Sequence, residues 1–219
     1  MENKFASRSP LIVEELEEQL KTLLGNLQVP VQLTCIADKG EKSMEMGAFL
    51  NHLTELSPKL SCVFLAPGEK QEYEQVMDGS LLPATGIGTP GAVPRMIFHG
   101  IPGGQEISSF ASAMLACGGA GKPLDKYTLK DIGKVKKPLK IQICVSLACH
   151  HCAQLAANAM RIALENPMVC THTIDANLYP ELVREYSIER VPLMVLNEKD
   201  QYPGGKTMGE LTTLLAKIK

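Results

Sequence analysis

The residues best equipped for chemistry are Cys149-His150-His151-Cys152, which follow the alternating apolar run KIQICV at 140–145 and open a helical stretch reaching Glu165. Two residues between the cysteines bring both sulfurs to one end of a helical turn, close enough to join in a disulfide. A helix start also presents free backbone N–H groups and the positive end of the aligned peptide dipoles. Together these stabilise a thiolate, lowering a thiol pKa from about 8.5 into a range of roughly 3.5–7.5. Cys149 lies nearest those N–H groups and is expected to be the nucleophile. Cys152, one turn inward, is expected to resolve the mixed disulfide that Cys149 forms. His150 and His151 favour the thiolate further when protonated.

Two other readings compete. Cys-x-x-Cys is half of a structural zinc site, but the sequence has no second Cys-x-x-Cys and no His-x-x-x-His to complete it. The third reading is a pair of inert buried thiols. The order strand, motif, helix favours redox chemistry. Cys35, Cys62, Cys144 and Cys170 fall on expected strands and Cys117 near a helix end, where small buried thiols are common. Cys144 is a possible regulatory partner of Cys149. His52, His99 and His172 read as core or surface histidines.

The elements that position the pair recur twice along the chain. Residues 139–219 read as strand, helix, strand, helix, strand, strand, helix, with Asn166-Pro167 ending the first helix and Pro180 in the first turn of the second. The last helix opens with Thr207-x-x-Glu210, the spacing of a capping box. In the earlier half VQLTCI (31–36) matches the first strand, Ser43 to Leu56 the helix and LSCVFL (60–65) the second strand. Arg95 to His99 is read as the third strand, with Pro94 standing where Pro192 stands. The alignment puts Lys39-Gly-Glu-Lys42 where the second copy has its cysteines. Residues 79–104 read as a turn-rich insertion; the GxGxxG at Gly86 to Gly91, lacking a strand before and a helix after, reads as a loop and not a dinucleotide site. An amphipathic segment at 12–27 is expected to be a helix on the first unit. The expected organisation is 1–121 as a redox-silent fold with its N-terminal helix, 122–138 as a lysine-rich linker, and 139–219 as the redox-active fold.

Composition bounds the alternatives. The chain has 219 residues, 22 basic against 24 acidic side chains and a net charge of −2, which argues against a nucleic-acid partner. No apolar run is long enough to span a membrane, the start lacks a secretory signal, and seven cysteines suit a reducing compartment. A cytoplasmic protein is expected.

The segments SLACHHC, ALENP, HTIDANLYPELVREYSIERVP and PGGKTMGELT, with FHGIPGGQEISSF and LACGG in the first half, resemble the N-terminal domain of the alkyl hydroperoxide reductase flavoprotein subunit. The resemblance implies an α/β chain of two tandem thioredoxin/glutaredoxin-like folds, mixed central sheets flanked by helices, with only the second redox-active. It implies a dithiol electron shuttle between a flavin-dependent disulfide reductase module and a peroxiredoxin-type protein disulfide. FAD and NADH are expected in a partner or a C-terminal region outside this chain, with no cofactor or metal bound here. It further implies a cis proline at Val191-Pro192 as a substrate-docking edge, with His150 beside it, and the same reading extends to Pro94. The buried aspartate usual in thioredoxins is replaced by Ile143; Glu106, from the silent fold, is the implied proton relay. A general protein-disulfide reductase or isomerase, and a metal-binding or interaction module with a silent dithiol, are the alternatives.

Overall fold

The computed structural model describes residues 5–218. The apolar runs become strands of one eight-stranded sheet. Strands β1 (Val31–Ile36), β2 (Leu60–Leu65), β3 (Ala84–Gly88) and β4 (Met96–His99) belong to the first half, and β5 (Leu139–Val145), β6 (Val169–Asp175), β7 (Leu193–Leu196) and β8 (Asp200–Pro203) to the second. Each half uses one plan. The first strand pairs parallel with the second and antiparallel with the third, and the fourth returns antiparallel to the third. The halves meet where β4 pairs parallel with β6, giving the order β2-β1-β3-β4-β6-β5-β7-β8.

Alternation along the strands sends successive side chains to opposite faces. One face carries the main core. There α1 (Glu14–Leu24), α2 (Glu41–Glu55), α4 (Glu106–Cys117), α6 (His150–Glu165) and α8 (Met208–Leu215) bury Leu24, Phe49, Phe110, Leu155 and Leu211. The other face is covered by two shorter helices with separate small cores, α3 (Gln71–Met77) through Tyr73 and Met77, and α7 (Pro180–Glu185) through Leu182. Within 122–138 the chain forms α5 (Lys126–Ile132), capped by the Asp125 carboxylate, which accepts from the N–H groups of Tyr127 and Thr128.

The second half follows the sequence pattern closely, including the reciprocal Thr207–Glu210 capping box. The first half corrects three expectations. Its third strand is β3, whereas 95–99 contributes β4, the counterpart of β8. Gly86 and Gly88 therefore lie in a strand and not in a loop; a Cβ at Gly86 would collide with the ring of Pro94. No helix follows the GxGxxG, so those residues do not fit a dinucleotide phosphate. Among the described residues the cis bonds are Val191-Pro192, as expected, and Leu82-Pro83; the bond before Pro94 is not cis.

Helix caps correct the alignment as well. Gly40 is the N-cap of α2 as Cys149 is of α6, so Gly40 and Ser43, not Lys39 and Lys42, occupy the cysteine positions of the first copy. Forty residues then separate Ser43 from Pro83, as forty separate Cys152 from Pro192.

Candidate active site

β5 delivers the chain to a short turn at 146–148, in which the Cys149 N–H donates to Ser146 O at 2.9 Å. α6 begins at once, with Cys149 as its N-cap. Cys149 and Cys152 form a disulfide with a Cα separation of 5.4 Å. The two sulfurs differ in access. Cys149 is half-buried, while Cys152 is 0 % exposed beneath the first turn. The outer sulfur is the one an incoming disulfide can reach, and the inner one is placed to close on it.

Val191 and Pro192 come to the same place from the start of β7. Cys149 Sγ lies 3.8 Å from Val191 O, so a reduced thiol there has an acceptor within reach. The Pro192 carbonyl is taken by the Gly204 N–H at 2.9 Å. A cavity of about 520 Å³ runs along this edge, lined by Ile188, Arg190, Val191, Pro192 and Gln201 among others. His150 is exposed on the first residue of α6.

Glu106 is the first residue of α4 and is 0 % exposed. The Ser109 hydroxyl donates to its Oε2 at 2.6 Å, while Oε1 is buried with no partner among the described residues. Burial, and secondarily the negative charge of Asp175, raise its pKa to about 7, against the lowering effect of the Ser109 hydrogen bond. The start of α4 is fixed to the turn before Cys149. The Gln105 N–H donates to Leu147 O at 2.8 Å, and Gly104, at φ +52°, lies so near Leu147 O that a Cβ would clash. The first half of the chain thus sets a buried acid at the start of a helix that is bonded to the turn before Cys149.

The other cysteines sit where expected. Cys35, Cys117 and Cys144 are buried, and Cys62 and Cys170 are half-buried. Burial pushes the thiols of Cys35 and Cys144 up to about 12. Among the described residues no group of three or more His, Cys, Asp or Glu side chains is placed to hold a metal, and no helix is long and apolar enough to cross a membrane.

Two features escaped the sequence reading. The Leu82 carbonyl, which precedes the cis proline of the first copy as Val191 O does in the second, accepts from the Tyr179 hydroxyl at 3.1 Å. The forty-residue spacing from Ser43 to Pro83 was a usable signal for that proline. The buried His99 and His172 also touch, on strands far apart in sequence, and nothing local signals it.

A thioredoxin-domain family model matches residues 139–216. The N-terminal domain of alkyl hydroperoxide reductase AhpF from Enterococcus faecalis is similar over 93% of this chain and 99% of its own, at 31% identity and a TM-score of 0.87. Alkyl hydroperoxide reductase AhpF of Escherichia coli K12 is 27% identical over 203 residues, which are 93% of this chain and 36% of that protein. The chain spans about a third of the length of the curated relatives it matches. A protein disulfide oxidoreductase from Aeropyrum pernix shares the fold over 94% of the chain, with a TM-score of 0.84 at 16% identity.

Proposed function

As this chain belongs to the family of N-terminal domains of alkyl hydroperoxide reductase AhpF, we propose that its dithiol carries electrons from a flavin-dependent disulfide reductase module to a disulfide in a peroxiredoxin-type partner. The chain is a thioredoxin-like thiol–disulfide oxidoreductase domain. The disulfide is the state after electrons have been delivered. In the delivering direction Cys149 attacks one sulfur of the partner disulfide, forming a mixed disulfide and releasing one partner thiolate. Cys152 then attacks Cys149 Sγ, closing the internal disulfide and freeing the second partner thiolate. Two protons leave the protein dithiol and two arrive on the partner. Glu106, with its pKa raised to about 7, relays the proton of Cys152. Val191 and Pro192 offer the docking edge, and exposed His150 contacts the incoming chain. FAD and NADH chemistry belongs to the donor module, and the setting is cytoplasmic. In this reading 1–121 and 139–219 are two folds joined through 122–138.

The observation that carries the proposal is the unequal access of two bonded sulfurs at a helix start beside the Val191 carbonyl. Cys152→Ser should accumulate a mixed disulfide between Cys149 and an oxidised peroxiredoxin, seen on a non-reducing gel and mapped by mass spectrometry. Cys149→Ser should accumulate none. Trapping through any other cysteine, or no trapping at all, overturns the assigned roles.

A further inference from the structure

A second thiol lies at the opposite end of the strands from the disulfide. Cys170 and His172 are two residues apart on β6 and so share a sheet face. Lys140 at the start of β5 pairs with Cys170, and Val145 at its end pairs with Asp175. Cys170 is therefore about 16 Å along the strands from the end that carries the Cys149 turn.

The hydrogen bonds around it fix the ring protons, while the Cys170 thiol has two acceptors in reach, His172 Nε2 and, farther off at 4.0 Å, the Val76 carbonyl. The Leu81 carbonyl can only accept, so His99 Nδ1, 2.7 Å away, carries a hydrogen. A neutral ring then leaves His99 Nε2 as an acceptor, and His172 Nδ1 donates to it at 2.9 Å. That leaves His172 Nε2 as a base, 3.5 Å from Cys170 Sγ. Burial keeps both rings neutral, holding His99 down to about 4 and His172 well below the usual range. Thiol, base and orienting group thus have the connectivity of an activated nucleophile, but burial pushes the Cys170 thiol up to about 11, so proton transfer to His172 needs a compensating charge beside the ring.

The arrangement opens onto a cavity of about 390 Å³ lined by Cys170, His172, Arg95 and Lys140. Among the described residues no carboxylate lines it. Asp78 and Glu198 ion-pair with Lys140, at 3.3 and 2.7 Å, without reaching the cavity wall. Arg95 is held by two bonds to Ala163 O. The two carboxylates balance Lys140, so Arg95, which has no ion pair among the described residues, is the cation that suits an anionic ligand, whose charge would stabilise the imidazolium formed when His172 takes the thiol proton.

We propose that Cys170 and His172 form a second thiol site, which exchanges with a small carboxylate-bearing disulfide seated against Arg95. His172 removes the Cys170 proton, the sulfur attacks one sulfur of the small disulfide, and that S–S bond breaks. The departing thiolate takes the proton back from His172. The net change is one thiol and one small disulfide giving a mixed disulfide at Cys170 and one small thiol.

The test uses the full chain with its Cys149–Cys152 disulfide closed, incubated with oxidised glutathione or with cationic cystamine and sampled by peptide mass mapping. Cys170 should be modified before Cys62, the other half-buried free thiol, and about tenfold faster by glutathione disulfide than by cystamine. His172→Gln should slow modification at least about tenfold. Arg95→Gln, which removes the cation that has no carboxylate partner among the described residues, should erase the preference for the anionic reagent. Modification of Cys170 no faster than Cys62, or no faster with the anionic reagent than with cystamine, overturns the proposal. So does an unchanged preference in Arg95→Gln.

Discussion

Glu106 has one carboxylate oxygen satisfied by Ser109 and the other buried without a partner among the described residues. Its folded pKa is raised from 4.5 to about 7. Below pH 4.5 the group is protonated in both folded and unfolded chains. Between 4.5 and 7 only the folded chain holds the proton, so stability falls as pH rises through that window. Glu106→Gln removes this cost and keeps a partner for Ser109. The variant should be the more stable by on the order of 1–3 kcal/mol at pH 8, with the gap closing near pH 4. Urea unfolding of both proteins at the two pH values measures it, and an equal gap at both refutes the titration. Disulfide exchange should slow by ~10–100-fold in the same variant and lose its inflection near pH 7. The dithiol was legible from residue types alone, because Cys-x-x-Cys after a strand leaves few other uses. Glu106 was not: its isolation depends on α4 packing, and it came only from the family resemblance.

At the scale of the element, the start of α4 is the part that places this acid. Gly104 adopts a positive φ and packs on the Leu147 carbonyl, two residues before Cys149. Gly104→Ala should push the two apart and strain the backbone, costing roughly 1–3 kcal/mol. Exchange should slow with it. A urea midpoint and an exchange rate both equal to those of the parent protein would show the contact to be dispensable. The second half was legible to within a residue or two, since its strands alternate cleanly and Asn166-Pro167 and Thr207-x-x-Glu210 mark helix ends. β3 was not, because a strand reading ATGIG between prolines carries the residues of a turn. Its glycine makes room for the Pro94 ring, which is why it lacks the side chains that advertise a strand. Taking Pro94 for the partner of Pro192 followed from that misreading.

Across the whole molecule, the pairing of β4 with β6 turns two copies into one sheet. This junction was invisible in the sequence, where each copy reads as complete. The Thr171 N–H bonds Arg95 O across it, and His99 meets His172. The chain should therefore unfold in a single calorimetric transition, with equal calorimetric and van't Hoff enthalpies. Two resolved transitions would mean that the halves fold independently. The first copy lacks both sulfurs, with Gly40 and Ser43 in the cysteine positions, and its Leu82 carbonyl is stoppered by the Tyr179 hydroxyl. On the proposed reading one dithiol berth is left among the described residues, and the proteins that load and unload the carrier have to use it in turn. Donor and recipient should thus exclude each other, giving parallel double-reciprocal plots, the ping-pong pattern of a ferry with one landing stage.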